Sequence, residues 1–434
     1  METFVNTLKN YRILILFFFI KLLIHLLTSN LYSLHRDEFL YLTMGDHLSI
    51  GYLEIPPSLA VFSWIVTHIL GGSEFTVRII PALLGALTVF FTGLITKEFG
   101  GKKMAQILAC SAVIISPAFL RINQLFQPVS FNVFYWVLLS WIIIRFLKSE
   151  NKKLLIYFGV IAGLSLLNKY SVGVYLLAVL AGILLSPHRI LYKSKEIYLA
   201  IAIATLIFLP NLIWQIVHNL PLVSHIEELS RTQLVNVRPA GFLLEQFFLN
   251  SPNVLIWIFG LYFLLFTNRG KSFRILGYMY IFIIIFLLLF SGKGYYSMGA
   301  YPMLIAAGAC YWEKLSDSWN TKWVPVLILV FMIISILPVL PISLPVLKID
   351  KLIKYGEKAK KIGLESAFRW ETGIVHDLPQ DFADMFGWKE LAGIVEKTYF
   401  ELTPEERNKC LIYAENYGQA GAVDYYGKKS SLPE

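Results

Sequence analysis

From Ile13 to Leu340 the chain is a succession of apolar runs divided by short polar breaks. A helix crosses the hydrocarbon core of a bilayer with about 20 mostly apolar residues. The pattern predicts eleven spans, at 13–31, 77–96, 104–120, 128–147, 154–167, 171–186, 197–217, 251–267, 275–290, 301–313 and 323–343. The first run follows Lys9 and Arg12 as a signal peptide would, but no small-x-small cleavage site comes after it, so it reads as a retained helix. Between the first two spans the pattern changes. Residues 36–50 set Phe39, Leu40, Met44, Leu48 and Ile50 at helical spacing among Asp37, Glu38, Asp46 and His47, and 59–70 is a second apolar stretch too short to span. Two helices lying in the interface plane are expected within this outer loop, residues 32–76.

Composition agrees with this pattern. With 56% hydrophobic and 15% charged residues, the chain has too little polar surface to wrap a soluble globule of 434 residues. Its charge also fixes an orientation, because cytoplasmic loops hold the excess of Lys and Arg. Basic residues collect at the amino terminus and in 97–103, 145–153, 187–196, 268–274 and 313–322, all on one side of an eleven-span chain. The amino terminus is therefore expected in the cytoplasm and the 32–76 loop outside. The net charge of +9 divides unevenly: from Leu344 onward 13 Lys and Arg face 15 Asp and Glu, against 25 and 14 before it. The excess belongs to the membrane portion, which points to topology and anionic lipid rather than nucleic acid. Cys110, Cys310 and Cys410 have no spacing motif, so neither a disulfide framework nor a cysteine metal site is expected.

Past the last span, PVLPISLPVLK opens a more polar region. The expected division is a transmembrane domain at 1–343 and a small extracytoplasmic α/β domain at 344–434. Its closing text, ENYGQAGAVDYYGKKSSLPE, reads like strand, turn and helix within a domain that continues. No internal repeat is visible, which gives no support to the inverted-repeat logic of many transporters.

The chemistry gathers on the outer side. In HRDEFLY, Asp37 and Tyr41 stand four residues apart and share a helix face. Glu54 precedes Pro56 and Pro57, which hold the backbone extended, so two carboxylates from separate segments can face one cavity. Arg36, Asp37 and Glu38 can equally serve to cap and solvate the start of the helix. Lone cations lie at other outer helix ends: Arg121 in FLRINQLFQP, Lys169 in LLNKYSVG, and Lys293, beside Tyr295 and Tyr296, in SGKGYYSMGAYP. Each alone reads as a snorkelling anchor; together they describe an electropositive pocket for an anion with an apolar tail. Arg231 and Arg238 sit in a 218–250 loop without a readable motif.

HRDEFLYLTMGDHLSIGYLEIPPSLAVF resembles the first outer loop of bacterial glycosyltransferase family 39, relatives of the protein O-mannosyltransferases and of the aminoarabinose transferases that modify lipid A. LLNKYSVG, IFLPNLIWQ and GKGYYSMGAYP resemble later landmarks, and the likeness covers about residues 30–345. The resemblance implies a C-type glycosyltransferase fold that uses a sugar on a polyprenyl phosphate and inverts the anomeric centre, with no nucleotide cofactor. It implies Asp37 as general base, Glu38 as its structural companion, Tyr41 at the donor phosphate and Glu54 at a divalent metal ion. The acceptor would be a lipid, glycan or protein. One position departs: where the aminoarabinose transferases carry a phosphate-binding lysine, this chain has Ile55. Lys169, Lys293 or Arg238, with Tyr295 and Tyr296, would then have to meet the phosphate. A flippase for a lipid-linked saccharide is the alternative; it calls for charges at mid-membrane and two related halves.

Overall fold

The computed structural model describes residues 2–428 and Leu432, with side chains from Asn10 onward. The backbone of Lys9 is included, but residues 429–431, 433 and Glu434, where the expected carboxy-terminal domain closes, lie outside the described residues. Every one of the eleven predicted apolar segments is helical. They correspond to α1 (Glu2–Thr28), α4 (Glu74–Glu98), α5 (Lys103–Ile115) with α6 (Pro117–Ile122), α7 (Pro128–Ser149), α8 (Lys153–Leu166), α9 (Val172–Leu185), α10 (Lys195–Val217), α13 (Val254–Phe266), α14 (Arg274–Leu289), α15 (Tyr301–Ser318), and α16 (Val324–Ile336) with α17 (Leu340–Ser343). Among the described residues five helices are long and apolar enough to span a bilayer, or seven if two bent pairs are counted. The 104–120 segment is split because Pro117 cannot donate to the helix and Ser116 turns extended.

Close packing builds the bundle. Gly260 on α13 and Gly308 on α15 meet face to face; a Cβ on Gly260 would lie 1.9 Å from the Leu304 carbonyl oxygen. Only glycine permits that backbone approach, as at many membrane helix crossings. The short α6 is braced from α1, where fully buried Lys21 donates to the Phe119 carbonyl at 3.0 Å and His25 meets the Gln124 side chain at 3.2 Å.

The predicted inner loops come together at one end. Glu98 pairs with Arg145 at 2.9 Å and Lys148 at 2.8 Å, Lys152 with Glu196 at 3.0 Å, and Glu313 accepts from the backbone of Lys102 and Ala105. The 32–76 loop lies at the other end. It holds the two expected short helices, α2 (Arg36–Asp46) and α3 (Ser58–Trp64), the latter extended by a π turn, Ile65–Ile69. They pack together through the Ser63 hydroxyl, which donates to the Leu42 carbonyl at 3.0 Å.

Two expectations are corrected. The 218–250 loop is largely helical, with α11 (Pro221–Thr232) and α12 (Pro239–Leu249), the second bent by 76° against the helix that follows. The carboxy-terminal region is not α/β: among the described residues it contains no strand, only an isolated bridge between Arg369 and Val375. It consists of α18 (Ile349–Ala359), α19 (Gln380–Ala383), α20 (Trp388–Glu401), α21 (Pro404–Arg407) and α22 (Tyr417–Gly427). ENYGQAGAVDYYG is helical because the Asn416 side chain caps the Gly418 and Gln419 amides, and because its small residues let it lie on α2. That packing overrides the poor helix propensity of its Gly, Val and Tyr residues.

Candidate active site

α2 begins with a complete capping box. The His35 ring accepts from the Asp37 amide through Nδ1 at 3.1 Å, and the Glu38 carboxylate accepts from the His35 amide at 2.8 Å. With Nδ1 an acceptor, the neutral ring carries its proton on Nε2, which faces Asp384 at 3.8 Å.

The adjacent carboxylates have different surroundings. Glu38 is fully buried and accepts three hydrogen bonds: from the His35 amide, from the Phe126 amide at 2.8 Å, and from Arg78 at 3.1 Å. Arg78 is equally buried and also donates to the carbonyls of Ser29, Tyr32 and Ser33. Glu38 is therefore a clamp joining the first outer loop to α4 and to the segment before α7. Asp37 keeps 27% of its side chain exposed. Its Oδ1 accepts from the Tyr417 hydroxyl at 2.8 Å and its Oδ2 from Gln127 Nε2 at 3.1 Å. Each oxygen retains a lone pair, so Asp37 is oriented and still able to take a proton.

Tyr41 and Glu54 lie within electrostatic reach of Asp37, and Tyr295 and Tyr296 within reach of Tyr41. Burial first, then the charges of Asp37 and Glu54, push the Tyr41 hydroxyl well above its usual range, so it is a proton donor here. Burial raises the Glu54 carboxyl, Asp37 raises it further, and His225 of α11 opposes both. A cleft of about 350 Å³ opens between Leu40, Met44, His47, Tyr52 and Glu54. Tyr295 and Tyr296 stand edge to face at 4.7 Å, and Lys169 lies over them at 5.7 and 5.2 Å from the ring centres. Burial, with the charge of Lys293, lowers Lys169 to about 8, and no carboxylate among the described residues pairs with it.

The other cations are occupied. Lys293 meets Glu371 at 2.5 Å, Arg121 pairs with Asp381, and Arg36 faces Asp384 at 3.6 Å. All three carboxylates belong to the carboxy-terminal region. The electropositive pocket expected from the sequence therefore reduces to Lys169, with Lys293 already holding a carboxylate. Arg238 is exposed at the start of α12 and pairs with no carboxylate among the described residues. Ile55 is buried in the cluster that includes Tyr41, Leu59, Phe126 and Phe131, so this position adds apolar packing and no cation. No three His, Cys, Asp or Glu side chains among the described residues come close enough to hold a metal ion; Glu54 with Asp37 and His225 nearby does not make such a set.

Gln127, His225, Glu371 and Tyr417 were missed in the sequence, as were Arg78 and the Phe126 amide behind Glu38. Phe126 and Gln127 lay in FLRINQLFQP, Tyr417 in ENYGQAGAVDYYGKKSSLPE and His225 in the 218–250 loop, segments already noted for other reasons. α22 brings Tyr417 to Asp37, and a Cβ on Gly421 would stand 2.7 Å from the Phe39 Cβ, so that contact requires glycine. Phe39 completes the joint, packed against Trp388, Tyr425 and Tyr426.

Comparison with known proteins meets the same resemblance from another side. Residues 54–214 match the family model described as dolichyl-phosphate-mannose-protein mannosyltransferase. Lipid A galacturonosyltransferase RgtD of Rhizobium johnstonii (strain DSM 114642 / LMG 32736 / 3841) is 21% identical over 233 residues, 51% of this chain and 48% of that protein. The match thus spans about half the length of this curated relative. Among solved structures, ArnT from Cupriavidus metallidurans bound to undecaprenyl phosphate superposes with a TM-score of 0.66 at 14% identity, over 94% of this chain and 84% of that one. The archaeal oligosaccharyltransferase AglB from Archaeoglobus fulgidus, in complex with an inhibitory peptide and a dolichol-phosphate, gives 0.52 at 13%, over 96% and 64%. The chain shares the fold of these two structures.

Proposed function

We propose that the chain is an integral-membrane glycosyltransferase that moves a sugar from a polyprenyl phosphate to an acceptor hydroxyl on a lipid, glycan or protein. The observation that carries this reading is Asp37, held at both oxygens yet open to solvent, beside a group of phenols and one unpaired lysine. Asp37 accepts the proton of the attacking hydroxyl. As the acceptor oxygen bonds to the anomeric carbon, the bond to the phosphate oxygen breaks, its electron pair leaves with the polyprenyl phosphate, and the anomeric centre inverts. A phosphate leaving group needs charge stabilisation rather than protonation. Lys169 supplies it, with Tyr41, Tyr295 and Tyr296 as hydroxyl donors. Lys293 joins them once the phosphate displaces Glu371, and Arg238 remains at the outer margin. Glu54 narrows the acidic side of the cleft.

In this reading all eleven apolar segments cross or enter the membrane, α2 and α3 lie at its outer interface, and the basic end of the bundle is cytoplasmic. A transporter gains no comparable support, because the charges around Asp37 sit at one end of the bundle and not along a path through it. The test is chemical. Envelope glycans of a bacterial deletion strain, compared with the parent by mass spectrometry, should lack one sugar, restored by the wild-type gene and not by Asp37→Asn. Full restoration by Asp37→Asn removes Asp37 from the chemistry; unchanged glycans overturn the assignment.

A further inference from the structure

α18 carries a feature that the proposed chemistry does not use. Between residues 348 and 361 the chain has six lysines against two carboxylates, Asp350 and Glu357. Leu352, Gly356 and Ala359 are buried on one side of the helix, while Lys351, Lys354 and Lys358 are exposed on the other. Spacings of three and four residues put these lysines on a single face. Together with Leu347 and Tyr355 they line a recess of about 190 Å³.

These lysines differ from most cations packed around the active site. Arg36, Arg78, Arg121, Lys293, Lys360, Lys389 and Lys428 each have a carboxylate partner. Among the described residues, none pairs with Lys351, Lys354 or Lys358. Glu371, Asp381 and Asp384 are taken by Lys293, Arg121 and Arg36, and between residues 348 and 361 lysines outnumber Asp350 and Glu357 three to one, which leaves the helix with a net positive face.

Its position indicates what compensates it. On α16 and just beyond, Leu327, Val330, Phe331, Ile334 and Leu337 are each between 45% and 60% exposed, the surface of a helix that meets lipid tails. That stripe ends at Leu337. The next carbonyl, of Pro338, accepts from the Tyr355 hydroxyl at 2.5 Å, and Tyr32 at the end of α1 donates to the Leu347 carbonyl at 2.5 Å. Tyr355 is thus fixed where the apolar surface stops, the depth at which tyrosines anchor in membranes. Lys351, Lys354 and Lys358 surround it at headgroup level.

We propose that this face binds the phosphate of a lipid headgroup in the leaflet on the active-site side. Leu347 and the Tyr355 ring receive the upper part of the lipid, and the three lysines surround its phosphate. The inference rests on the membrane placement of the bundle and not on the transferase chemistry.

The test measures binding, not turnover, so it stands or falls separately from the proposed reaction. The full chain in detergent is offered phosphatidylglycerol and phosphatidylcholine, and bound lipid is counted by native mass spectrometry. A cluster of basic side chains near a surface contributes about fivefold in affinity per lysine. The triple variant Lys351→Gln, Lys354→Gln, Lys358→Gln should therefore lose roughly 100-fold in preference for phosphatidylglycerol. Arginine at the same three positions should retain it, and Lys397→Gln with Lys409→Gln, elsewhere in the region, should leave it unchanged. An undiminished preference in the triple glutamine variant overturns the proposal. So does equal competition by millimolar inorganic phosphate, which would make this a site for the free ion and not for a lipid.

Discussion

Replacing Glu38 by glutamine removes one charge from a cluster buried out of contact with bulk solvent. Glu38 and Arg78 are both fully buried, 3.1 Å apart, and breaking such a pair costs about 3–5 kcal/mol. The amides of Phe126 and His35, each 2.8 Å from the carboxylate, compete for the single remaining amide oxygen. A buried donor left without a partner costs about 1–3 kcal/mol. These costs overlap, so at least about 3 kcal/mol is expected, read as a lowered unfolding midpoint and loss of the monodisperse species in detergent. Asp37→Asn is the control one residue away. Asparagine still accepts from Tyr417, so its unfolding midpoint should match the wild type while sugar transfer falls about 100- to 10,000-fold, the usual contribution of a general base. If Glu38→Gln unfolds at the wild-type midpoint and loses transfer, the clamp assignment is wrong and Glu38 takes part in the reaction.

Two further outcomes test the charges. Lys169, lowered to about 8 by burial and by Lys293, must be protonated to meet a phosphate, so kcat/KM for the donor should fall as pH rises through about 8, and Lys169→Arg should remove that limb. The stability effect has the opposite sign: between about 8 and the ordinary lysine range the unfolded chain binds more protons, so this group's contribution makes folding more favourable as pH rises. Single cysteines at Glu150 and Asp424, introduced on a background lacking the native three, should label from opposite faces of the membrane; labelling from one face would overturn the orientation.

Much of the fold could be read directly, because apolar runs of near-spanning length have one common solution in lipid. What could not be read depends on distant partners. Lys293 and Arg121 stood alone in their loops, and nothing local announced that Glu371 and Asp381 would reach them. The strand expected near residue 417 rested on residues that are poor helix formers in isolation; their small size serves contact with α2 instead. Asp37, Glu38, Tyr41 and Glu54 were legible because one short loop contains them. Their separation into an open carboxylate and a buried clamp required Arg78, Phe126, Gln127 and Tyr417, contributed by three other segments.

The bond between Tyr417 and Asp37 joins residues 380 positions apart, and that span has a consequence for biogenesis. In the proposed orientation α2 is made long before α22, and it waits on the far side of the membrane while the intervening helices are inserted. Until α22 has crossed and docked, Asp37 lacks one of its two supports and Phe39 lacks its aromatic cover. A chain not yet extended to α22 therefore has its membrane bundle but an unassembled site around Asp37, and synthesis itself withholds the proposed activity until α22 is made.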